Sequence, residues 1–364
     1  MKYIFSTFLL LISFKSIEAS HVPGGNITYE CIGPNTYVIT LTVFEDCGTA
    51  FIGNMPESIS VINSCGLAFS TNISLPIVTY QQEISQLCLP MIGQSECNGG
   101  GFPGVYMHVW RDTITLPGPC DSWIFSYDDC CRNASQNLTG TGNDYYFETV
   151  LNSNTASCNS SPIITASPIP YNCLNQPVVY NFGVYEPDGD SLHYSLVSAL
   201  DDPGIPVPYQ GGYSGASPIN GINIDPNTGE ITFTPTIQGN FVVVVLIEEY
   251  DSNGNLVGSV MQDFQFEIII CTNISPSAPT AGLLNFNGTA IQTGPFDIQA
   301  CEGDSVCFEL EFLDNNPADS IYINSNIAQL FPGATINQNS FFSPATATFC
   351  FVVLPVSYTH LRAH

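Results

Sequence analysis

The sequence predicts an all-β protein built from several β-sandwich modules, and three observations support this prediction. Apolar and polar residues alternate with a period of two in several runs, including 36–44, 105–116, 230–235 and 261–270. Clusters of Asn, Asp, Gly and Pro, which form turns, lie between these runs. The chain also has 26 prolines and 30 glycines, and no helical periodicity is sustained.

The N-terminus has the pattern of a secretory signal peptide. Lys2 precedes an apolar stretch over residues 4–14, and Ala19 offers a small residue for cleavage before Ser20. We therefore expect residues 1–19 to be removed and the protein to be secreted or displayed on the outer cell surface. No later segment is long and apolar enough to span a membrane, and the apolar run 241–247 predicts a buried strand.

The charge of the chain is strongly negative, with 32 acidic residues against five Lys and Arg and a net charge of -27. Without the leader and the last residues, Arg111 and Arg132 are the only strong cations. Such a negative field repels nucleic acid and attracts divalent cations. Most of the carboxylates must be solvated, hydrogen-bonded or bound to metal.

Fourteen cysteines in an exported chain predict disulfides. The alternative is a metal cluster, but the sequence has no Cys-x-x-Cys motif. Cys130 and Cys131 are adjacent. If they lie on a strand their side chains point in opposite directions, so we expect them to have separate partners.

Two stretches rich in Pro and Ser, 159–170 and 272–280, divide the chain. After the signal peptide (1–19), they predict a cysteine-rich β domain (20–160), a β-sandwich (161–271) and a second, truncated repeat (279–356). The last two modules repeat in sequence. The segment from Cys173 aligns with the segment from Cys301, and 233–242 aligns with 342–350.

The last eight residues, 357–364, differ in composition from the rest. They contain two of the five histidines and one of the five Lys and Arg residues. We expect this tail to be non-native and derived from a sequencing adaptor, and the third module to be truncated before it.

Three motifs of the chain resemble, in order, parts of large surface proteins of the Bacteroidota. They are "SHVPGGNITYECIGPNTYVITLTVFEDC" (20–47), "SWIFSYDDCCRN" (122–133) and "NCLNQPVVYNFGVYEPDGDSLHYSL" (172–196). Those proteins are described as gliding-motility-associated and are exported by the type IX secretion system. The resemblance implies a surface-displayed protein that carries repeats.

The second and third modules also resemble bacterial cadherin-like and immunoglobulin-like repeats. Residues 186–194, 224–235 and 239–251 match a D-x-D-G-D-x-L-x-Y element, an IDPxTGxIxxTP hairpin and a GxYxVxVxxxD strand, with Glu186 in place of the first Asp. In a seven-strand sandwich of immunoglobulin type, 178–185 and 191–198 become strands B and C.

That topology brings three acidic turns to one end of the middle module: 186–190, 225–229 and 251–255. Oxygen ligands and the absence of competing lysines suit calcium. The candidate ligands are Glu186, Asp188, Asp190, Glu249, Asp251 and Asn253. The alternative remains open, because Asp, Asn, Gly and Pro are also the residues that tight turns require.

The same resemblance implies two disulfides. Cys173 precedes strand B and Cys271 follows strand G, which makes them a pair. In the repeat alignment Val179 corresponds to Cys307 and Val242 to Cys350, at core positions where an immunoglobulin domain has its inter-sheet disulfide. Cys301 is then left without a partner.

We expect no enzymatic activity, because His108 and His193 belong to no nucleophile–base–orienter arrangement. The expected function is that of a cell-surface structural or adhesion protein, with surface proteins or extracellular glycans as partners. The alternative is a glycan-binding protein in which Trp110, Trp123 and Tyr127 stack on sugars. Their alternation along strands favours burial in the core instead.

Overall fold

The computed structural model describes residues 22–47, 52–87, 89–140, 143–166, 171–277, 279–354 and 360–362. Over these residues the regular secondary structure is almost entirely β, and the predicted all-β fold class is confirmed. The helical exceptions are short: α1 (Ile327–Leu330) and two 3₁₀ segments, Leu89–Gln94 and Glu96–Asn98. The expected signal peptide lies outside the described residues.

The first module has eight strands around an apolar core, which we call the first core. The strands are β1 (Gly24–Gly33), β2 (Thr36–Asp46), β3 (Glu57–Asn63), β4 (Asn72–Leu75), β5 (Ile77–Glu83), β6 (Val105–Thr115), β7 (Trp123–Asp129) and β8 (Tyr145–Leu151). Strands β1, β2, β6 and β5 pair in that order, and β8, β7, β3 and β4 form a second series. In β2, Tyr37, Ile39, Leu41 and Val43 are buried in the first core and alternate with less buried neighbours, as the period of two predicts.

The middle module is a sandwich of two sheets around a second core. Its strands are β9 (Ile163–Ile164), β10 (Tyr171–Cys173), β11 (Val178–Tyr180), β12 (Val184–Tyr185), β13 (Ser191–Val197), β14 (Leu200–Asp202), β15 (Ile205–Pro206), β16 (Asn223–Ile224), β17 (Ile231–Phe233), β18 (Gly239–Tyr250) and β19 (Leu256–Ile269). Strands β13, β18, β19 and β10 form one sheet, and β11, β17 and β16 form the other. Phe233, Phe241, Phe264 and Phe266 pack between them.

The predicted strand 178–185 is interrupted. It forms β11 and β12, which belong to different sheets. The side chain of Asn181 accepts a hydrogen bond from the Gly183 amide at 2.8 Å, and Gly183 has a φ of 57°. This local turn ends β11 and redirects the chain.

The apolar run 241–247 is buried on both faces. Val242 and Val244 pack into the first core, whereas Phe241, Val243 and Val245 pack into the second. A strand between two cores has no polar face, so the run is continuous rather than alternating.

The boundary predicted near residue 160 does not separate two independent sheets. Strand β19 pairs with β18 along one edge, and its other edge pairs with β8 at 258–260 and with β1 at Asp263. At 14 residues β19 is long enough to serve both modules. The first and middle modules therefore share a sheet and one layer of core.

The third module consists of seven strands: β20 (Leu284–Gly288), β21 (Ile291–Gln292), β22 (Asp297–Gln299), β23 (Ser305–Phe312), β24 (Thr335–Gln338), β25 (Ala345–Val352) and β26 (His360–Arg362). They form a four-stranded sheet in the order β20-β23-β25-β24 and a small ribbon of β21, β22 and β26. Of the tail 357–364, only β26 is among the described residues, and it pairs with β22.

The repeat is visible in the sheets, but the second half of the predicted alignment is wrong. The order β23-β25-β24 matches β11-β17-β16 of the middle module. Val179 pairs with Thr232, and Cys307 pairs with Cys350. The counterpart of Cys350 is therefore Thr232 on β17, and not Val242 on β18. Val179 is also 65% exposed, so it is no core position.

Six disulfides connect the described cysteines: Cys31–Cys158, Cys47–Cys97, Cys65–Cys120, Cys130–Cys131, Cys173–Cys271 and Cys307–Cys350. The expectation of separate partners for Cys130 and Cys131 is wrong, because β7 ends at Asp129 and strand alternation does not extend to them. Cys307 and Cys350 are bonded within one sheet rather than between sheets, since β23 and β25 are neighbours. Cys301 is free and exposed, and Cys88 lies outside the described residues.

Candidate functional site

The acidic turn between β12 and β13 folds around the side chain of Glu186. Its carboxylate accepts hydrogen bonds from the amides of Asp188 at 3.0 Å and Asp190 at 2.6 Å. Gly189 has a φ of 86°, which an L side chain rarely adopts. The local sequence thus fixes the position of Glu186 and places Asp190 immediately before β13.

Glu249 comes to this turn from the end of β18 and is fully buried. Its carboxylate accepts hydrogen bonds from the Asn159 amide at 3.2 and 3.3 Å and from the Tyr29 hydroxyl at 3.4 Å. Gly258 lies opposite on β19, where an added Cβ would be 2.3 Å from the carboxylate. Both modules therefore build the pocket that holds Glu249.

Carboxylate oxygens of Glu186, Asp190 and Glu249 lie within 4.8 Å of one another. Calcium binds oxygen at about 2.3–2.6 Å, so two ligands of one ion are at most about 5 Å apart. Three carboxylates supply up to six oxygens, which is the lower end of calcium coordination. The donor set and its spacing fit a calcium ion.

The electrostatics of this cluster favour a bound cation or proton. Burial, followed by the negative charge of Glu186, raises the pKa of Glu249 to about 9. Burial also raises the pKa of Glu186, and burial together with Asp188 and Asp251 raises that of Asp190. The buried Arg132 cannot compensate these charges, because its guanidinium pairs with Asp263 at 2.8 Å.

The other three predicted ligands lie around the cluster without joining it. Asp188 accepts a hydrogen bond from the Ser160 amide at 2.6 Å. Asp251 accepts from the Asn253 amide at 2.8 Å, and the two close their own turn. Asp225, in the predicted turn 225–229, accepts hydrogen bonds from amides of its own turn and is also outside the cluster.

Sequence reasoning missed Asn159 and Tyr29, because both belong to the first module. One signal was present. Asn159 begins an Asn-x-Ser-Pro stretch just after a cysteine, and Asn273 begins another near Cys271. In the structure the side chain of Asn273 donates a hydrogen bond to Asp319, in the acidic turn of the third module. Asn159 and Asn273 thus each contact an acidic side chain, one at each junction of the middle module.

The three aromatic residues considered for sugar binding are core residues. Trp110, Trp123 and Tyr127 are all buried in the first core, as their alternation predicts. His108 is also buried. Its Nε2 lies 2.6 Å from Glu45, and its ring stacks on Trp110 with centroids 5.8 Å apart.

Comparison with known proteins gives limited similarity. No family model matches the chain. It is 25% identical over 219 residues to integrin beta-like protein A of Dictyostelium discoideum, a match that covers 58% of this chain and 9% of that protein. The eight N-terminal immunoglobulin domains of Down syndrome cell adhesion molecule align with 91% of this chain and 33% of their own, at 10% identity. The TM-score of that alignment is 0.17, which is too low to support any inference.

Helices capable of crossing a membrane are absent from the described part of the chain. The six disulfides are typical of a protein that folds in an oxidising compartment outside the cytoplasm.

Proposed function

We propose that this protein is an exported, non-enzymatic structural or adhesion protein of the cell surface, and that calcium stiffens the junction of its first two modules. The disulfides and the tandem β-modules support an extracellular role. The matched segment of a protein named integrin beta-like supports a role in adhesion. Display through the type IX secretion system is part of the proposal and rests on the three sequence motifs alone.

The observation that carries the proposal is the burial of Glu249 beside Glu186 and Asp190 at the module junction. A buried carboxylate with two acidic neighbours is stable only when a proton or a cation neutralises it. Calcium in the extracellular medium supplies that charge, and its ligands here come from the turn and from β18. Binding therefore ties the acidic turn to the shared β18–β19 hairpin.

The expected gain in stability is modest. Extracellular modules bind calcium at about 10⁻⁴–10⁻³ M, so millimolar calcium adds about 0.4–1.4 kcal/mol by mass action. For a unit of this size the corresponding rise in Tm is about 1–5 °C.

The test is a melting curve of the full chain in EDTA and in millimolar calcium. We expect Glu186→Gln and Asp190→Asn each to abolish the calcium-dependent rise. Asp225→Asn is the matched control, because it removes the same charge from the same module outside the cluster, and it should respond like the wild type. A melting point that ignores calcium, or that magnesium raises equally, contradicts a calcium site.

A further inference from the structure

The third module exposes three aromatic rings at one turn. Phe341 and Phe342, between β24 and β25, are 44% and 54% exposed, and Tyr322 is 42% exposed. Tyr322 and Phe341 meet edge to face, with ring centroids 5.6 Å apart. We call these three residues the aromatic turn.

The middle module shows that the fold does not require these rings. The equivalent turn, between β16 and β17, contains Asp225, Asn227, Thr228 and Gly229. There the Asp225 side chain accepts hydrogen bonds from the amides of Asn227 and Thr228, which closes the turn with polar groups alone. Aromatic rings that stay exposed, where the middle module has polar residues, contribute little to the stability of the fold. They therefore point to a contact surface.

The backbone beneath the rings is held in place. The Ile321 amide donates to the Phe341 carbonyl at 2.8 Å. The Gln338 side chain donates to the carbonyls of Ile321 at 2.6 Å and Ser340 at 2.9 Å, and accepts from the Ile323 amide at 3.1 Å. Because the turn is ordered in advance, a partner that contacts it loses little conformational freedom in ordering it.

The surrounding charge selects the kind of partner. Residues 279–354 contain seven acids and no Lys, Arg or His. Two of the acids neighbour the aromatic turn along the backbone. The Asp314 amide donates to Ser343 at 2.9 Å, and Asp319 precedes Ser320, which forms a β-bridge with Phe342. A cationic side chain here gains both from the aromatic faces and from the carboxylates.

We propose that the aromatic turn is a docking site for a protein segment that carries arginine or lysine next to apolar side chains. The proposal deepens the adhesive role proposed above, because it names a contact surface and the chemistry of its partner. It is independent of the calcium site, which lies at the other junction of the middle module. A failure of one therefore leaves the other testable.

The experiment measures binding of labelled peptides to the full chain by fluorescence anisotropy. The probe is a Gly/Ser-flanked peptide of alternating Arg and Leu, and its reference has Glu in place of Arg. We expect only the Arg peptide to bind, and Phe341→Ser/Phe342→Ser to weaken it about tenfold or more. Ile291→Ser and Val352→Ser change exposed apolar residues of the same module and should leave affinity unchanged. Melting curves verify that each variant is folded.

Two results overturn the proposal. Equal binding of the Arg peptide by the double Phe variant means that net charge alone attracts it. Binding of neutral oligosaccharides on a glycan array, lost in the same variant, identifies the turn as a sugar site instead.

Discussion

Replacing Glu249 with Gln tests the electrostatic basis of the candidate site. The pKa of Glu249 is raised from 4.5 to about 9, mainly by burial. The folded state therefore binds this proton more tightly than the unfolded state. The resulting stability is fully present below pH 4.5 and is lost as the pH rises towards 9. Each pKa unit corresponds to about 1.4 kcal/mol, so wild-type stability in EDTA should fall by at most about 4 kcal/mol between pH 5 and pH 8.

The Gln variant should lack this pH dependence. Gln is nearly the same size as Glu, is neutral at all these pH values, and keeps an oxygen that accepts from Asn159. We expect Glu249→Gln in EDTA to be more stable than the wild type at pH 8 and similar to it at pH 5. Calcium should stabilise only the wild type, and more strongly at pH 8, because the ion must displace the proton.

The assay is urea denaturation at the two pH values, with EDTA or with millimolar calcium. Glu30→Gln serves as the control, since Glu30 is an exposed acid on β1. Parallel pH dependence in wild type and Glu249→Gln would refute the reasoning. A variant less stable than the wild type at pH 8 would also refute it.

Three further changes test other parts of the structure. Arg132→Gln leaves the buried Asp263 without its ion-pair partner and should lower the free energy of unfolding in urea by about 3–5 kcal/mol. Arg111→Gln, at an exposed site, is the control and should lower it by less than about 0.5 kcal/mol. Gly258→Ala places a methyl group against the Glu249 carboxylate and should remove the calcium response in a melting curve, whereas Gly33→Ala, with open space around it, should keep it. Cys307→Ser opens a disulfide within one sheet and should destabilise the third module by about 2–4 kcal/mol, measured by its susceptibility to proteolysis.

The fold class could be predicted because most of its signal is local. Alternation along β2 is enough to identify a strand with one buried face. The boundary of the first module could not be predicted in this way. It depends on which strands pair with the far edge of β19, and a single sequence shows no signal for pairing between residues more than 100 positions apart.

The disulfides show the same limit. Cys307 and Cys350 are a pair in the structure, but the geometry inferred for them came from an alignment that matched β25 to the wrong strand. In the middle module, β17 and β18 follow one another in the sequence and have similar apolar patterns. The pattern alone therefore does not show which of them corresponds to β25. The pairing of Val179 with Thr232 identifies β17 as the counterpart of β25.

The candidate site also has a part that the sequence shows and a part that depends on contacts between distant residues. The turn from Glu186 to Asp190 is visible in the sequence, because its hydrogen bonds join residues two and four positions apart. The convergence of Glu249 on that turn required the correct topology. Asn159 required knowledge of the contact between modules, which no pattern within the middle module contains.

The two junctions of the chain differ in what holds them. At the first junction the pairing of β8 with β19 and the shared core already join the modules, so the proposed calcium site would stiffen a junction that strand pairing has formed. The calcium ion proposed there would neutralise an acidic turn that otherwise repels itself beside a buried carboxylate. At the second junction, in the described residues, no strand of the third module joins a sheet of the middle module. Side-chain hydrogen bonds such as Asn273 to Asp319 and Asn326 to Thr165 span it instead. The first two modules therefore share a sheet, whereas the third module contacts them through side-chain hydrogen bonds, so the proposed docking site lies in the module with fewer strand contacts to the rest of the chain.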